Sequence, residues 1–467
     1  MAKAWQPISL TSYILKALER LCGWHMDDAL KNSPIHIQQH GFRTDRNTDT
    51  EISTVTDYIE KHIYNQKHVI GVFLDIQAAF DSIKPSKIKE ALLLHGGDPL
   101  MVEWYYSYIT HRNMFVDING QQISCTTSLG FPQGGVCSAK FWIIAFNAAI
   151  SILNEHGVLG LGFADDCVAL IGGTNLHQMM SRIQKVVTKL EEWGLTCGLT
   201  FNPSKTEVLI FTKSTLKASQ YPNKLIVGDH PVPFTQSARY LGVTLDSKLT
   251  WNLHFSKQIT KCKKYLHMLQ KGVKKAWGPK PTYIRWIYVA IVRPKLAYAS
   301  LSWGHITRFP SKHSALDKLN RLAATLITPV RRSTPIKTME LLYDLIPLHL
   351  FIKYEAIASL SRNTHCLSLT WLGHNPSCKT YIGHRKFWTD ALATAHLSVF
   401  SVDRIHDLNW HKTYHIALNS LNSNSNPLFP KSIFLPLAVK PANTQVLGLL
   451  SIDKGSPLQK VHPGFPP

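Results

Sequence analysis

A chain of 467 residues with 45% hydrophobic and 17% charged content is long and apolar enough for roughly two or three cored domains, which excludes wholesale disorder. Its formal net charge of +21 and pI near 9.6 give a surface that attracts polyanions, nucleic acid first among them. Eight cysteines without a CxxC pair fit an intracellular, reduced chain, with nucleus and cytoplasm both open. No charged-then-apolar leader opens the sequence, and the longest apolar run, Phe141 to Leu153, is broken by Asn147 and falls short of the roughly 20 residues of a membrane span.

The segment Glu51 to Gln66 places Ile52, Val55, Ile59 and Ile63 at helical spacing, and Thr48 with Glu51 predicts a capping box in front of it. Val69 to Leu74 is a continuous apolar run that stops at Asp75, the pattern of a strand buried on both faces with the acid at its end. A helix is predicted from Ser86, with Ile88, Leu92 and Leu93 inward and Gly96 and Gly97 closing it. Asn119 and Gly120, between Met114–Ile118 and Gln121–Cys125, best suit a two-residue hairpin turn because both tolerate positive φ. Leu129 to Gly135 then reads as a loop and Val136 to Leu153 as a buried helix.

A second hairpin is predicted from Gly160–Phe163 and Cys167–Ile171, with Ala164, Asp165 and Asp166 at its tip. Asn175 to Trp193 follows as a helix whose core stripe is Leu176, Met180, Ile183, Val187 and Leu190, capped by Asn175 and closed by Gly194. Leu199–Phe201 and Glu207–Phe211 read as short strands joined by Asn202 to Thr206, and Tyr240–Leu245 as one more. Strands and helices mixed in this order suit an α+β layer fold. From Trp251 to Arg362 the pattern turns helical and basic; beyond it, Asn419–Asn426 and the Pro-rich end read as linker or tail.

Charge is unevenly spread. The 70 residues from Ser247 to Leu316 hold 14 Lys and Arg and no Asp or Glu, with Lys261, Lys263, Lys264, Lys271, Lys274 and Lys275 among them. Tyr265, Trp277, Tyr283 and Trp286 are interleaved, a composition that suits contact with phosphates while rings pack inward or stack. A solvated cationic face has a similar composition. His365, Cys366, His374, Cys378 and His384 cluster without a recognised zinc spacing.

Taken singly, Asp75 reads as a strand end and the Asp165–Asp166 pair as a solvated turn. Together, an Asp at a buried strand's end and an Asp pair at a hairpin tip 90 residues later converge if the two elements lie side by side in one sheet. Three clustered carboxylates repel unless cations neutralise them. Two Mg²⁺ ions about 3.5–4 Å apart, with Mn²⁺ as the alternative, are the natural partners, being hard, oxygen-liganded and suited to in-line phosphoryl transfer. A metal site beside a polyanion-binding region points to nucleotidyl transfer or nuclease chemistry.

Five runs of residues make this specific: Phe73 to Asp81 with Asp75 and Phe80, Gly130 to Gly135 with Gln133 and Gly134, Phe163 to Asp166, Asn202 to Glu207 with Lys205, and Tyr240 to Asp246. In order and spacing they resemble the successive palm motifs of reverse transcriptases. Pro7 to Ser12, Leu18 to Arg20 and Gln39 to Arg43 are similar to finger motifs of the non-long-terminal-repeat, jockey-like branch. The resemblance covers residues 5 to 360. It implies an RNA-directed DNA polymerase that extends a DNA primer on an RNA template with deoxynucleoside triphosphates. Asp75, Asp165, Asp166 and the Ile76 carbonyl would bind metal, and Phe80 would act as a steric gate against the ribose 2′-OH. Gln133 and Gly134 would shape the nucleotide pocket, and Lys205 would meet the triphosphate. Tyr240, Leu241 and Gly242 would help grip the primer.

The implied architecture is α+β: a right-hand polymerase palm with partial fingers over 1–246, a basic helical thumb and connection over 247–362, and an irregular C-terminal region over 363–467. Where the family has an Arg before Pro7, this chain has Gln6. The family's polymerase starts upstream with a Lys-rich fingertip strand after an endonuclease domain, and many relatives continue into a ribonuclease H domain, so this chain reads as truncated at both ends. Two alternatives stay open: a catalytically silent retrotransposon fragment that still binds nucleic acid, and a maturase-like RNA-binding relative.

Overall fold

The structure is a computed structural model, and it describes residues 8–110, 112–272, 278–328, 330–331 and 333–363. Gln6, Lys274, Lys275, Trp277, the cluster from His365 to His384 and the expected tail lie outside the described residues. Helices α1 (Tyr13–Asn32) and α2 (Thr48–Tyr64) lead into strand β1 (His68–Gln77). After α3 (Ala79–Ser82), α4 (Pro85–Leu94) and α5 (Pro99–Thr110) comes the hairpin β2 (Arg112–Ile118) and β3 (Gln121–Thr127), then α6 (Ser138–Leu153). Strands β4 (Leu159–Phe163) and β5 (Asp166–Gly173), α7 (Leu176–Cys197), β6 (Thr200–Phe201) and β7 (Glu207–Phe211) follow. Short strands β8 (Leu225–Val227), β9 (His230–Val232), β10 (Phe234–Thr235), β11 (Ser237–Tyr240) and β12 (Val243–Asp246) close the strand-rich part. The rest is helical: α8 (Asn252–Gly272), α9 (Pro281–Ile287), α10 (Arg293–Ala297), α11 (Ser300–Trp303), α12 (Pro310–Ile327), α13 (Ile336–Leu342) and α14 (Leu348–Asn363).

The main sheet has the order β10–β7–β1–β5–β4, with β6 pairing the far end of β1. Its central strands are antiparallel to their neighbours, and β10 joins β7 in parallel. Because side chains alternate across a strand, Ile70, Val72 and Leu74 enter one core with α4 to α7, while Val69 and Phe73 enter a second core with α2 and the later helices. Both faces are thus covered, which is why β1 reads as an unbroken apolar run. The second core runs without a break from Ile52 through Trp251 to Ile352, so the strand-rich part and the helices after residue 246 share one interior.

Several expected boundaries shift for local reasons. The box that caps α2 is formed by Asn47 and Thr50, not Thr48 and Glu51, and Glu51 instead points into the core. Leu93 is 42% exposed, one position off the buried Ile88–Leu92 stripe. Strand β1 continues two residues past Asp75 because β6 offers Phe201 and Thr200 as partners to Ile76 and Gln77. Helix α7 passes Gly194 and stops at Gly198, whose φ of +80° supplies the left-handed cap. Tyr240 to Leu245 is a hairpin rather than one strand: Leu241 and Gly242, at φ +43° and +83°, turn the chain between β11 and β12.

Glu51 is fully buried; its Oε1 accepts a hydrogen bond from the Tyr240 hydroxyl and its Oε2 has no hydrogen-bond partner. Burial pushes its pKa from 4.5 up to about 8, opposed by the Tyr240 bond and assisted by the nearby Asp166 charge. Between those values the unfolded chain has released a proton that the folded chain keeps, so this group makes stability fall as pH rises from about 4.5 to about 8. Thermal melts across that range are expected to show a shallower decline for Glu51→Gln than for the unaltered chain. Parallel curves would contradict a neutral buried Glu51.

Candidate functional site

Antiparallel pairing of β1 with β5 sets Asp75 directly opposite Asp166 at the end of the sheet. Asp166 also pairs with Phe163 across the two-residue turn Ala164–Asp165, in which Ala164 takes φ +58°. The sheet therefore brings Asp75, Asp165 and Asp166 to one end. Asp166 opens its strand rather than sitting in the turn, so it shares the face of Asp75. Solvent reaches Asp165 and Asp166, yet their surroundings raise both pKa values. For Asp166 the rise is to about 6, caused first by desolvation and then by the charges of Asp165 and Asp75, with Lys205 opposing.

Lys205 comes from the turn between β6 and β7, which Asn202 ties to β1 by donating its backbone N–H to Asp75 O at 2.9 Å. Lys205 Nζ lies 3.2 Å from Asp75 Oδ2 as an ion pair, although that buried oxygen has no partner with hydrogen-bond geometry. The donor set is all carboxylate oxygen, it contains a buried oxygen without a hydrogen bond, and its like charges push pKa values up. This chemistry fits a hard divalent cation. The three carboxylates do not close on a single point: among the described residues no three His, Cys, Asp or Glu side chains are arranged to hold a metal ion together.

Beside the carboxylates, Phe80 is half-buried, stacked on Trp142 at 5.3 Å between centroids and met edge-on by Phe42 and Phe131. The Phe80 carbonyl accepts from Phe131 N at 2.7 Å. Gly130, at φ +69°, is required there, since a Cβ would fall 2.3 Å from Phe80 O. Gln133 donates Nε2 to both oxygens of Asp81, at 3.0 and 2.9 Å, and its carbonyl accepts from Ser9 N. Gly134 has φ +106° and the chain at Ser9 passes close against it. Ile76 is buried, 4% exposed, and pairs with Phe201 of β6.

The other expected contacts divide. Tyr240 is buried at 4% with its hydroxyl on Glu51, so its side chain is not available to nucleic acid; it anchors the Leu241–Gly242 turn, where Leu241 is half-buried and Gly242 exposed. Lys261, Lys263, Lys264 and Lys271 are all exposed on α8. Lys264 and Lys271 lie close together by helical angle, with Lys261 and Lys263 on either side of them, so the four spread over about half of the helix circumference.

With this arrangement in view, comparison with known proteins is decisive for ancestry. The family model for reverse transcriptase (RNA-dependent DNA polymerase) matches residues 2–245. The chain belongs to the reverse transcriptase family. It is 27% identical over 344 residues to a probable RNA-directed DNA polymerase from transposon BS of Drosophila melanogaster, covering 70% of this chain and 36% of that protein. It is 25% identical over 336 residues to the RNA-directed DNA polymerase from mobile element jockey of the same species, covering 69% and 35%. The expected likeness to jockey-type elements is met, and the chain spans about a third of the length of these relatives. A solved telomerase from Candida tropicalis with a fragment of telomeric RNA aligns over 81% of this chain and 57% of that one, at 10% identity and a TM-score of 0.38.

In this reverse transcriptase chain, residues with no role assigned from sequence support the carboxylate turn. Trp142 donates its indole N–H to Ala164 O at 2.8 Å, and His40 N and Gly162 N bond across to Gly162 O and Gln38 O at 2.8 and 3.1 Å. Gly41 lies against the turn so closely that a Cβ would sit 2.2 Å from Ala164 N. Glu19, fully buried, accepts from Val136 N at 3.0 Å and holds the far side of the Gln133–Gly135 loop. Gly41 and Glu19 stood within the finger-like runs, whereas Trp142 was hidden in an apolar helix. Gly41→Ala is expected to displace the Asp165 turn and destabilise the fold by about 1–3 kcal/mol, the usual range for overpacking. A denaturant midpoint equal to that of the unaltered chain would refute the close approach.

Proposed function

We propose that the chain is an RNA-directed DNA polymerase whose reaction centre is the sheet end carrying Asp75, Asp165 and Asp166. The observation that carries this reading is the β1–β5 register, which sets two of the carboxylates opposite each other beside the third. In this reading residues 1–246 are a palm with partial fingers, 247–362 a basic thumb and connection, and 363–467 a C-terminal region. Asp75, Asp165, Asp166 and the Ile76 carbonyl hold divalent cations, two Mg²⁺ or Mn²⁺. When bound, such cations activate a primer 3′-hydroxyl and stabilise the charge of a leaving pyrophosphate.

The chain's own residues position the rest. Lys205, released from Asp75, turns to the triphosphate and stabilises its charge or donates a proton. Phe80, braced by Trp142 and Phe131, presents a rigid ring against the sugar and rejects a 2′-hydroxyl. Gln133 and Gly134 border the nucleotide, Gln133 being fixed by Asp81. The Leu241–Gly242 turn, anchored by Tyr240 and by Tyr298 donating its hydroxyl to Leu241 O at 2.8 Å, lies along the primer. The exposed lysines of α8 follow phosphates of the RNA–DNA duplex. The setting of this chemistry is intracellular, in nucleus or cytoplasm.

A second reading, nucleic-acid binding without polymerisation, draws on the Lys205–Asp75 pair and on carboxylates that do not close on one point. Primer extension on poly(rA) with labelled dTTP and Mg²⁺ separates the two. Extension that falls about a thousandfold or more in Asp165→Ala with Asp166→Ala, as expected when several kcal/mol of charge stabilisation is removed, supports the polymerase. No extension by the unaltered chain, with salt-dependent duplex binding retained, supports the second reading.

A further inference from the structure

Gly41 and Phe42 carry the chain away from the bridge between Gln39 and Gly162, and Phe42 does so with a φ of +55°. That left-handed conformation is rare for a bulky side chain, whereas Asn or Gly adopts it readily. Burial does not compensate for it, because Phe42 remains 51% exposed. A strained backbone that leaves a large ring in solvent points to a task for the ring itself. The backbone around it is held firmly: His40 N and Gly41 N both donate to Gly162 O, at 2.8 and 3.4 Å, and Arg43 donates Nη1 to the carbonyls of His36 and Gln39, at 2.8 and 3.2 Å. The Phe42 ring stands at 88° to the ring of Phe80, with centroids 6.3 Å apart. Of the three rings set against Phe80 among the described residues, Trp142 and Phe131 are buried and Phe42 alone is exposed. Phe42 and the half-buried Phe80 therefore form one aromatic corner that opens to solvent. It is fastened to the carboxylate turn twice, by Gly41 packed against Ala164 N and by the Trp142 indole N–H donated to Ala164 O at 2.8 Å.

We propose that Phe42 is a specificity-determining residue, a second wall of the sugar site that keeps Phe80 from yielding to a ribose. The proposal rests on the polymerase reading and adds to it. Phe80 excludes a 2′-hydroxyl only while its ring cannot tilt away. Trp142 stacks on that ring and blocks movement in one direction, and Phe42, at right angles to it, blocks rotation out of the corner. The crossed arrangement is favourable in itself, since the positive edge of one ring meets the negative face of the other. Without the Phe42 ring, water is all that stands on the open side of Phe80, and the gate can move. Its removal thus changes the choice between sugars and leaves use of deoxynucleotides largely intact. Shape alone rejects an added hydroxyl by roughly a hundredfold. Losing one of two walls is expected to remove about tenfold of that preference.

The test uses the full chain on a primed poly(rA) template with Mg²⁺ and compares kcat/KM for dTTP with that for UTP. Three variants are measured beside the unaltered chain: Phe42→Ala, Phe42→Asn and Phe42→Tyr. Asn removes the ring while suiting the left-handed backbone, so it keeps the test open if Phe42→Ala fails to fold by its melting temperature. Tyr keeps the ring. The ratio of dTTP to UTP use is expected to fall about tenfold in Phe42→Ala and Phe42→Asn, through better use of UTP, and to hold in Phe42→Tyr. A merely structural role would lower kcat/KM for both nucleotides by the same factor, and a ratio equal in all four chains would overturn the proposal. So would a ratio that falls as far in Phe42→Tyr as in Phe42→Asn. Failure of the polymerase reading looks different: the unaltered chain then extends with neither nucleotide, and the proposal falls with it.

Discussion

The antiparallel pairing of β1 with β5 runs through eight positions, from His68 opposite Gly173 to Asp75 opposite Asp166. Like charges placed directly opposite across two strands destabilise their pairing, so the final position works against the sheet that creates it. The register holds because both faces of β1 are committed. A slip of one residue would drive Val69 and Phe73 into the first core and Val72 and Leu74 into the second, reversing every contact. Packing along the strands thus maintains a charge cluster at their end that those carboxylates alone would disperse.

The same covering of the sheet confines access to its end. The first core, rich in α6 and α7, supports Phe80 and the Gly130–Gly135 loop through Trp142 and Phe131. The second contains Glu51 and Tyr240 and joins the β11–β12 hairpin to the later helices without a break. Helix α8 and the strands that lead to the carboxylates are thus packed into one continuous interior. Lys205 offsets part of the negative charge from a turn fastened to Asp75 itself. Its side chain is largely exposed to solvent.

Local chemistry made much of this legible from sequence. Asn119 and Gly120 both take positive φ in the β2–β3 turn, which the short polar side chain of Asn and the missing Cβ of Gly allow. The core stripe of α7 and the buried run of β1 follow directly from apolar periodicity. What escaped depended on partners distant in sequence. Strand β1 outran its apolar run because β6, more than 120 residues later, extends it. Gly194 resembled a helix stop but is buried where Leu199 and Phe201 pass close by. Leu241–Gly242 lacks the Asn or Asp that marks a tight hairpin, so two strands resembled one. Glu51 looked like a helix cap, and only the fold showed that it is buried against Tyr240. Trp142 gave no sign of its bond to the Ala164 carbonyl, since a tryptophan in an apolar helix looks like core whether or not its indole N–H has a distant task.

The claim that the sheet end is a cation-binding reaction centre is tested most directly by titrating Mn²⁺ into the full chain and following the free ion by electron paramagnetic resonance. Saturable uptake is expected of the unaltered chain and is expected to be lost in Asp75→Asn and in Asp166→Asn. Uptake that is absent from the unaltered chain, or equal in all three, would contradict it.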